Sequence, residues 1–218
     1  MTGPAGMQRL PREQRVLIDG PAGRLEALVE EPEGFGTSRF GVVCHPHPLH
    51  GGTLDNKVVY TVSRAFHDVG MPTVRFNFRG VGASEGAFAN GVGETDDALA
   101  VVAWAQDRWP GAQPWLAGFS FGGVVALRAA AAVRAAGLVT VAPAVGRVAA
   151  GSSIPDCPWL LVQGDGDEVI DAAAVLDWVS RQAAAATVTV LKGAGHFFHG
   201  RLPELRAAVV EFARKGRA

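Results

Sequence analysis

Short apolar runs alternate along this chain with segments of helical periodicity. RVLIDG and LEALVEE flank a turn at Pro21-Ala22-Gly23 and predict an antiparallel hairpin. Further apolar runs at 41–45, 73–78, 114–119, 137–143, 159–164 and 187–193 predict the remaining strands. Their apolar character is continuous rather than alternating, which predicts strands covered on both faces. Between them, Val58, Val59, Val62, Phe66 and Val69 recur at helical spacing and stop at Gly70. Ala98, Val101, Val102 and Ala105 form a second stripe, and 121–136 an alanine-rich third. Val175, Leu176 and Val179 mark a fourth helix; Leu205, Val209 and Phe212 mark a fifth, with Pro203 in its first turn. This alternation predicts an α/β fold with a mostly parallel central sheet, an N-terminal antiparallel hairpin and helices on both faces.

With 218 residues, 48% hydrophobic and 19% charged, the chain can bury a sizeable core. We read it as one domain over 1–218, with 1–13 poorly ordered or peripheral. No apolar run reaches the roughly 20 residues that span a bilayer, and the first fifteen residues hold no apolar signal-peptide core. The formal net charge is −1 with no basic stripe, which argues against nucleic acid. Cys44 and Cys157 sit in or beside apolar runs and suit small core residues in a reducing cytoplasm.

In a parallel α/β sheet the loops leaving the carboxyl ends of the strands build the site. The loop after the 114–119 run reads Gly118-Phe119-Ser120-Phe121-Gly122 and leads into a helix. This is G-x-S-x-G in strand–turn–helix context, a nucleophile elbow. A serine hydroxyl needs a base, and the base an orienting acid. Beyond Ser120 the histidines are His196, directly after the last strand, and His199; His196 is the better placed. For the acid, Asp165, Asp167, Glu168 and Asp171 compete in the loop after 159–164. Asp171 suits a helix N-cap and Asp165 a tight turn, so Asp167 is preferred and Asp165 stands second.

At this point the residues reach a family. The chain resembles small lidless bacterial α/β-hydrolases with an H-P-H-P-x-x-G-G loop. The resemblance rests on His45-Pro46-His47-Pro48-Leu49-His50-Gly51-Gly52, on Asn77-Phe78-Arg79-Gly80-Val81-Gly82-Ala83-Ser84-Glu85-Gly86, on the elbow, and on Gly193-Ala194-Gly195-His196-Phe197-Phe198. It implies the α/β-hydrolase fold, supports Asp167 over Asp165 and His196 over His199, and assigns oxyanion binding to the backbone amides of Phe121 and His47. Pro46 and Pro48 have no N–H, and Leu49 is the alternative donor if the loop is shifted. The Arg79-to-Gly86 loop is expected to brace the site. The stretch 144–158 is too short for a helical cap domain, so an open site is expected. Leu49, His50, Phe119, Val145 and Phe197 are candidates for lining a small acyl pocket.

The implied chemistry is a serine esterase acting on small carboxylic esters or thioesters through an acyl-enzyme, with no cofactor and no metal. A peptidase or amidase would share the triad. A ligand-binding protein on this fold is a further alternative. His45, His47 and His50 also admit a zinc reading as H-x-H-x-x-H, but Leu49 stands where that motif wants Asp.

Overall fold

The computed structural model describes residues 12–33, 35–36, 38–148, 153–182 and 186–216. Strands β1 (Arg12–Gly20) and β2 (Gly23–Glu31) form the expected hairpin. Of the segment 1–13, residues 1–11 lie outside the described residues, while Arg12 and Glu13 pair with Glu31 and Glu30. There follow β3 (Arg39–Cys44), α1 (Lys57–Asp68), β4 (Thr73–Phe76), α2 (Val92–Arg108), β5 (Gln113–Phe119), α3 (Phe121–Val133), β6 (Gly137–Val141), β7 (Trp159–Gly164), α4 (Ala172–Gln182), β8 (Ala186–Leu191) and α5 (Leu202–Lys215). The strands make one sheet in the order β1-β2-β4-β3-β5-β6-β7-β8. β3 to β8 are mutually parallel, and β2 joins β4 antiparallel.

The continuous apolar runs follow from burial on both faces. Phe40, Val42, Leu116, Leu138 and Leu161 pack with α2, α3 and α4, whereas Val43, Trp115, Ala117, Val139 and Val162 pack with α1 and α5. Each fully buried Val, Leu or Phe among them contributes about 1.5–3 kcal/mol. β8 departs from the expectation. It is an edge strand, and Val188 and Val190 are exposed.

α2 starts well before its apolar stripe. Glu94 reaches back to the amides of Ala89 (2.7 Å) and Gly91 (2.6 Å) and closes the first turn. One turn later Asp97, fully buried, accepts from the Arg79 amide at 3.0 Å and the Arg79 Nη2 at 2.7 Å. These buried carboxylates fix the loop after β4. The same loop is tied to β2: Ser84 Oγ donates to the Asn77 carbonyl and accepts from the Glu26 amide, and Glu85 pairs with Arg24. Hydrogen bonds and an ion pair thus tie this loop to α2 and β2. The carboxyl ends of β3, β5, β7 and β8 share one edge, and the loops leaving it carry the candidate site.

Candidate active site

Ser120 sits between β5 and α3 with φ 55° and ψ −116°. This is left-handed backbone for a non-glycine residue, a cost of about 1–3 kcal/mol that surrounding structure must impose. Steric fit imposes it here. A Cβ on Gly118 would stand 2.0 Å from the Gly122 carbonyl oxygen, and one on Gly122 would stand 2.3 Å from the His45 carbonyl oxygen. The Ser120 amide donates to Val141 O at 2.9 Å, and its carbonyl accepts from Gly123 N at 3.0 Å and Ala144 N at 3.2 Å. A serine preceding a helix ordinarily caps it with its hydroxyl. Ser120 makes no side-chain cap bond, so Oγ is left free at the helix N-terminus.

His196 follows β8 and is buried. Its Nδ1 lies 2.8 Å from Asp167 Oδ2. The carboxylate is itself held from all sides: Oδ1 accepts from Val169 N (2.9 Å) and Ile170 N (2.8 Å), and Oδ2 also accepts from Gln163 Nε2 at 3.1 Å. With Oδ2 an acceptor, Nδ1 carries the imidazole proton and Nε2 is the free base. The other candidate acids are engaged elsewhere. Asp165 accepts from Gly193 N at 2.5 Å, Glu168 from His196 N at 3.1 Å, and Asp171 caps α4 through Ala173 N. His199 is exposed and stacks on Phe197. No hydrogen bond joins Ser120 Oγ to the His196 ring in this structure.

Gln163 was not anticipated. It is fully buried at the end of β7, spans Asp167 Oδ2 and the Gly164 carbonyl, and its own Oε1 has no partner among the described residues. The signal in the chain was slight: one carboxamide closing the otherwise apolar run WLLVQG.

Across from His196, the loop after β3 is organised by His45. Phe78 N donates to its Nε2 at 3.0 Å, so Nδ1 carries the proton and donates to Pro46 O at 2.6 Å. Burial pushes this imidazole down from 6.5 to about 4. Between those values the unfolded chain binds a proton that the folded one refuses. Stability from this group is therefore complete above about 6.5 and lost as pH falls toward about 4. We expect a loss of about 3 kcal/mol across that window, read in thermal melts, and a flatter slope for His45→Gln.

His47 lies beside Phe121 with ring centroids 5.0 Å apart, and His50 stacks on it at 4.4 Å. Neither the His47 nor the Phe121 amide donates to a described acceptor, whereas the Leu49 amide is taken by His47 Nδ1 at 3.2 Å. Gly52 closes the loop where a Cβ would meet Pro46 O at 2.1 Å. The three loop histidines do not converge on a common point: both His45 nitrogens are bound to backbone, and His47 Nδ1 to Leu49 N. Among the described residues no group of three His, Cys, Asp or Glu is arranged to hold a metal ion. Burial raises both thiols, that of Cys157 to about 11.

The expected pocket lining needs one correction. Phe119 is 1% exposed and belongs to the core beneath α1 and α5, its ring backing His196 at 4.8 Å. Strand alternation turns it inward with Ala117. Leu49, His50 and Phe197 are exposed around the site, and Val145 sits in the short turn Val145–Arg147, partly packed on the core. A cleft of about 780 Å³ lies at the opposite sheet edge, between Arg39, Trp115, Pro158 and Lys215, away from these groups.

Residues 19–154 match the family model of X-Pro dipeptidyl-peptidase, the S15 family. An α/β serine hydrolase homologue from Coxiella burnetii is 46% identical, covering 91% of this chain and 96% of its own, with a TM-score of 0.86. An α/β serine hydrolase without a lid from Xanthomonas campestris is 41% identical, covering 93% of this chain and 94% of its own, with a TM-score of 0.88. An uncharacterized protein of Rickettsia prowazekii is 34% identical over 91% of this chain and 87% of its own length.

Proposed function

The chain belongs to the S15 family and is a serine hydrolase of the α/β-hydrolase fold, and on that premise we propose that it cleaves small carboxylic esters or thioesters through an acyl-enzyme on Ser120, His196 and Asp167. His196 Nε2 takes the proton of Ser120 Oγ as the new Oγ–C bond forms. Asp167 holds the tautomer and offsets the imidazolium charge. The oxyanion is received by the amides of Phe121 and His47. His196 then returns the proton to the departing alcohol or thiol as the C–O or C–S bond breaks, and water repeats the sequence to release the acid. The observation that carries the reading is the uncapped, strained Ser120 on the same sheet edge as the His196–Asp167 pair. Two unpaired cysteines fit a reducing cytoplasm. Among the described residues, no helix is long and apolar enough to cross a membrane.

A peptidase reading is favoured by one observation, the S15 match itself. Fluorophosphonate labelling followed by intact-mass analysis tests the shared mechanism: one adduct is expected on the wild type and none on Ser120→Ala. Rates on an aryl ester and on an X-Pro aryl amide then separate the two readings. Amide cleavage comparable to ester cleavage would move the assignment to a peptidase. A folded wild type that takes no label would overturn the serine mechanism.

A further inference from the structure

The turn Val145–Arg147 lies against the proposed nucleophile. Ala144 N donates to the Ser120 carbonyl at 3.2 Å, and Arg147 N donates to Ala144 O at 2.9 Å. The turn is held from outside by Arg128, whose Nη2 donates to the Arg147 carbonyl at 2.8 Å. The Arg147 guanidinium is thereby set over the ring of Phe121, with Cζ 5.9 Å from its centroid. His47 packs against the same Phe121 ring at 5.0 Å, and His50 stacks on His47 at 4.4 Å.

What Arg147 lacks is an anion. Arg15, Arg24, Arg108, Arg201 and Arg206 each meet a carboxylate, whereas Arg147 pairs with none among the described residues. The acidic groups on this side are committed: Glu94 is fully buried on the amides of Ala89 and Gly91, and Asp97 on Arg79. The positive rim is felt by its neighbours, since burial and then the charges of Arg147 and His50 lower the proton affinity of His47. An exposed guanidinium over an aromatic face presents its N–H fork to solvent and is suited to two-point recognition of a carboxylate or phosphate.

We propose that Arg147 is a specificity residue that selects acyl substrates bearing a carboxylate or phosphate group near the scissile carbonyl. The inference rests on the hydrolase reading above and adds the charge of the substrate to it. The anion lies on the oxyanion side of the site, next to Phe121, and the chemistry at Ser120 is unchanged.

Two matched pairs distinguish the sources of the anion. An aryl hemiester of glutarate against the aryl valerate tests a carboxylate on the acyl side. A thioester of a phosphate-bearing thiol against that of the dephosphorylated thiol tests a phosphate on the leaving group. In at least one pair the wild type is expected to favour the anionic member. Arg147→Gln should lower that preference about five- to tenfold, mainly through KM, and Arg147→Lys should restore part of it. The preference should also shrink with rising salt. Equal anionic-to-neutral ratios in wild type and Arg147→Gln for both pairs overturn the proposal. Calorimetric titration with glutarate and with inorganic phosphate at matched ionic strength needs no turnover: binding that weakens in Arg147→Gln supports it, and no binding of either to the wild type counts against it. Failure of the hydrolase reading shows separately, as absence of fluorophosphonate label on Ser120.

Discussion

Ser120→Ala is expected to lower kcat on an aryl ester by about 10⁶-fold while leaving stability within about 0.5 kcal/mol of wild type. Both halves of this expectation follow from the elbow. The hydroxyl makes no side-chain bond to the helix it precedes, so its removal leaves no buried donor or acceptor unsatisfied. The backbone conformation is imposed by the close approaches at Gly118 and Gly122 and not by the side chain, and alanine inherits it. What disappears is the atom proposed to form the acyl-enzyme. The amides of Phe121 and His47 remain, so a residual rate of about 10³ over water is expected from oxyanion binding alone. Steady-state kinetics together with a thermal melt check the pair of outcomes. A variant that retains most of its activity would move the nucleophile elsewhere.

Asp167→Asn is expected to cost about 10⁴-fold in kcat, with a measurable loss of stability besides. The reason is visible in the donors around the carboxylate. Oδ2 accepts from His196 Nδ1 and Gln163 Nε2, and Oδ1 accepts from the amides of Val169 and Ile170. An asparagine must place its NH₂ at one of these two positions, and at either it faces two donors. Turned toward His196, it forces the proton onto Nε2 and removes the base. Turned the other way, it breaks the hydrogen bonds that close the loop after β7. Asp165→Asn should do much less, because the Asp165 carboxylate accepts from the Gly193 amide and an asparagine oxygen can do the same. Comparing the two variants under identical conditions checks the assignment, and a larger effect at Asp165 would reverse it.

Several features were legible along the chain because they are local. The elbow combines two steric requirements within five residues, and the apolar runs mark strands whose neighbours point to opposite covered faces. Other features were illegible because tertiary burial reverses the meaning of a residue type. Glu94 and Asp97 look like the solvent face of a helix, yet both are fully buried and help set where α2 begins and where the loop after β4 lies. Phe119 looks like a pocket wall and is core. Gln163 and Arg147 belong to no motif, and their places at the site come from strand and turn geometry.

The division has one physical cause. Hydrophobic periodicity, turn chemistry and the strained turn at Ser120 act over a few residues, so the sequence by itself determined the layered α/β architecture, the elbow and the shared edge where chemistry belongs. Local rules rank the four carboxylates within seven residues, setting Asp171 aside as an N-cap and Asp165 as a turn residue, but they place none of them against His196. Which of them meets His196, 29 residues further along the chain, was decided only when parallel pairing of β7 with β8 brought the two loops side by side and turned Asp165 to the Gly193 amide and Asp167 to the imidazole.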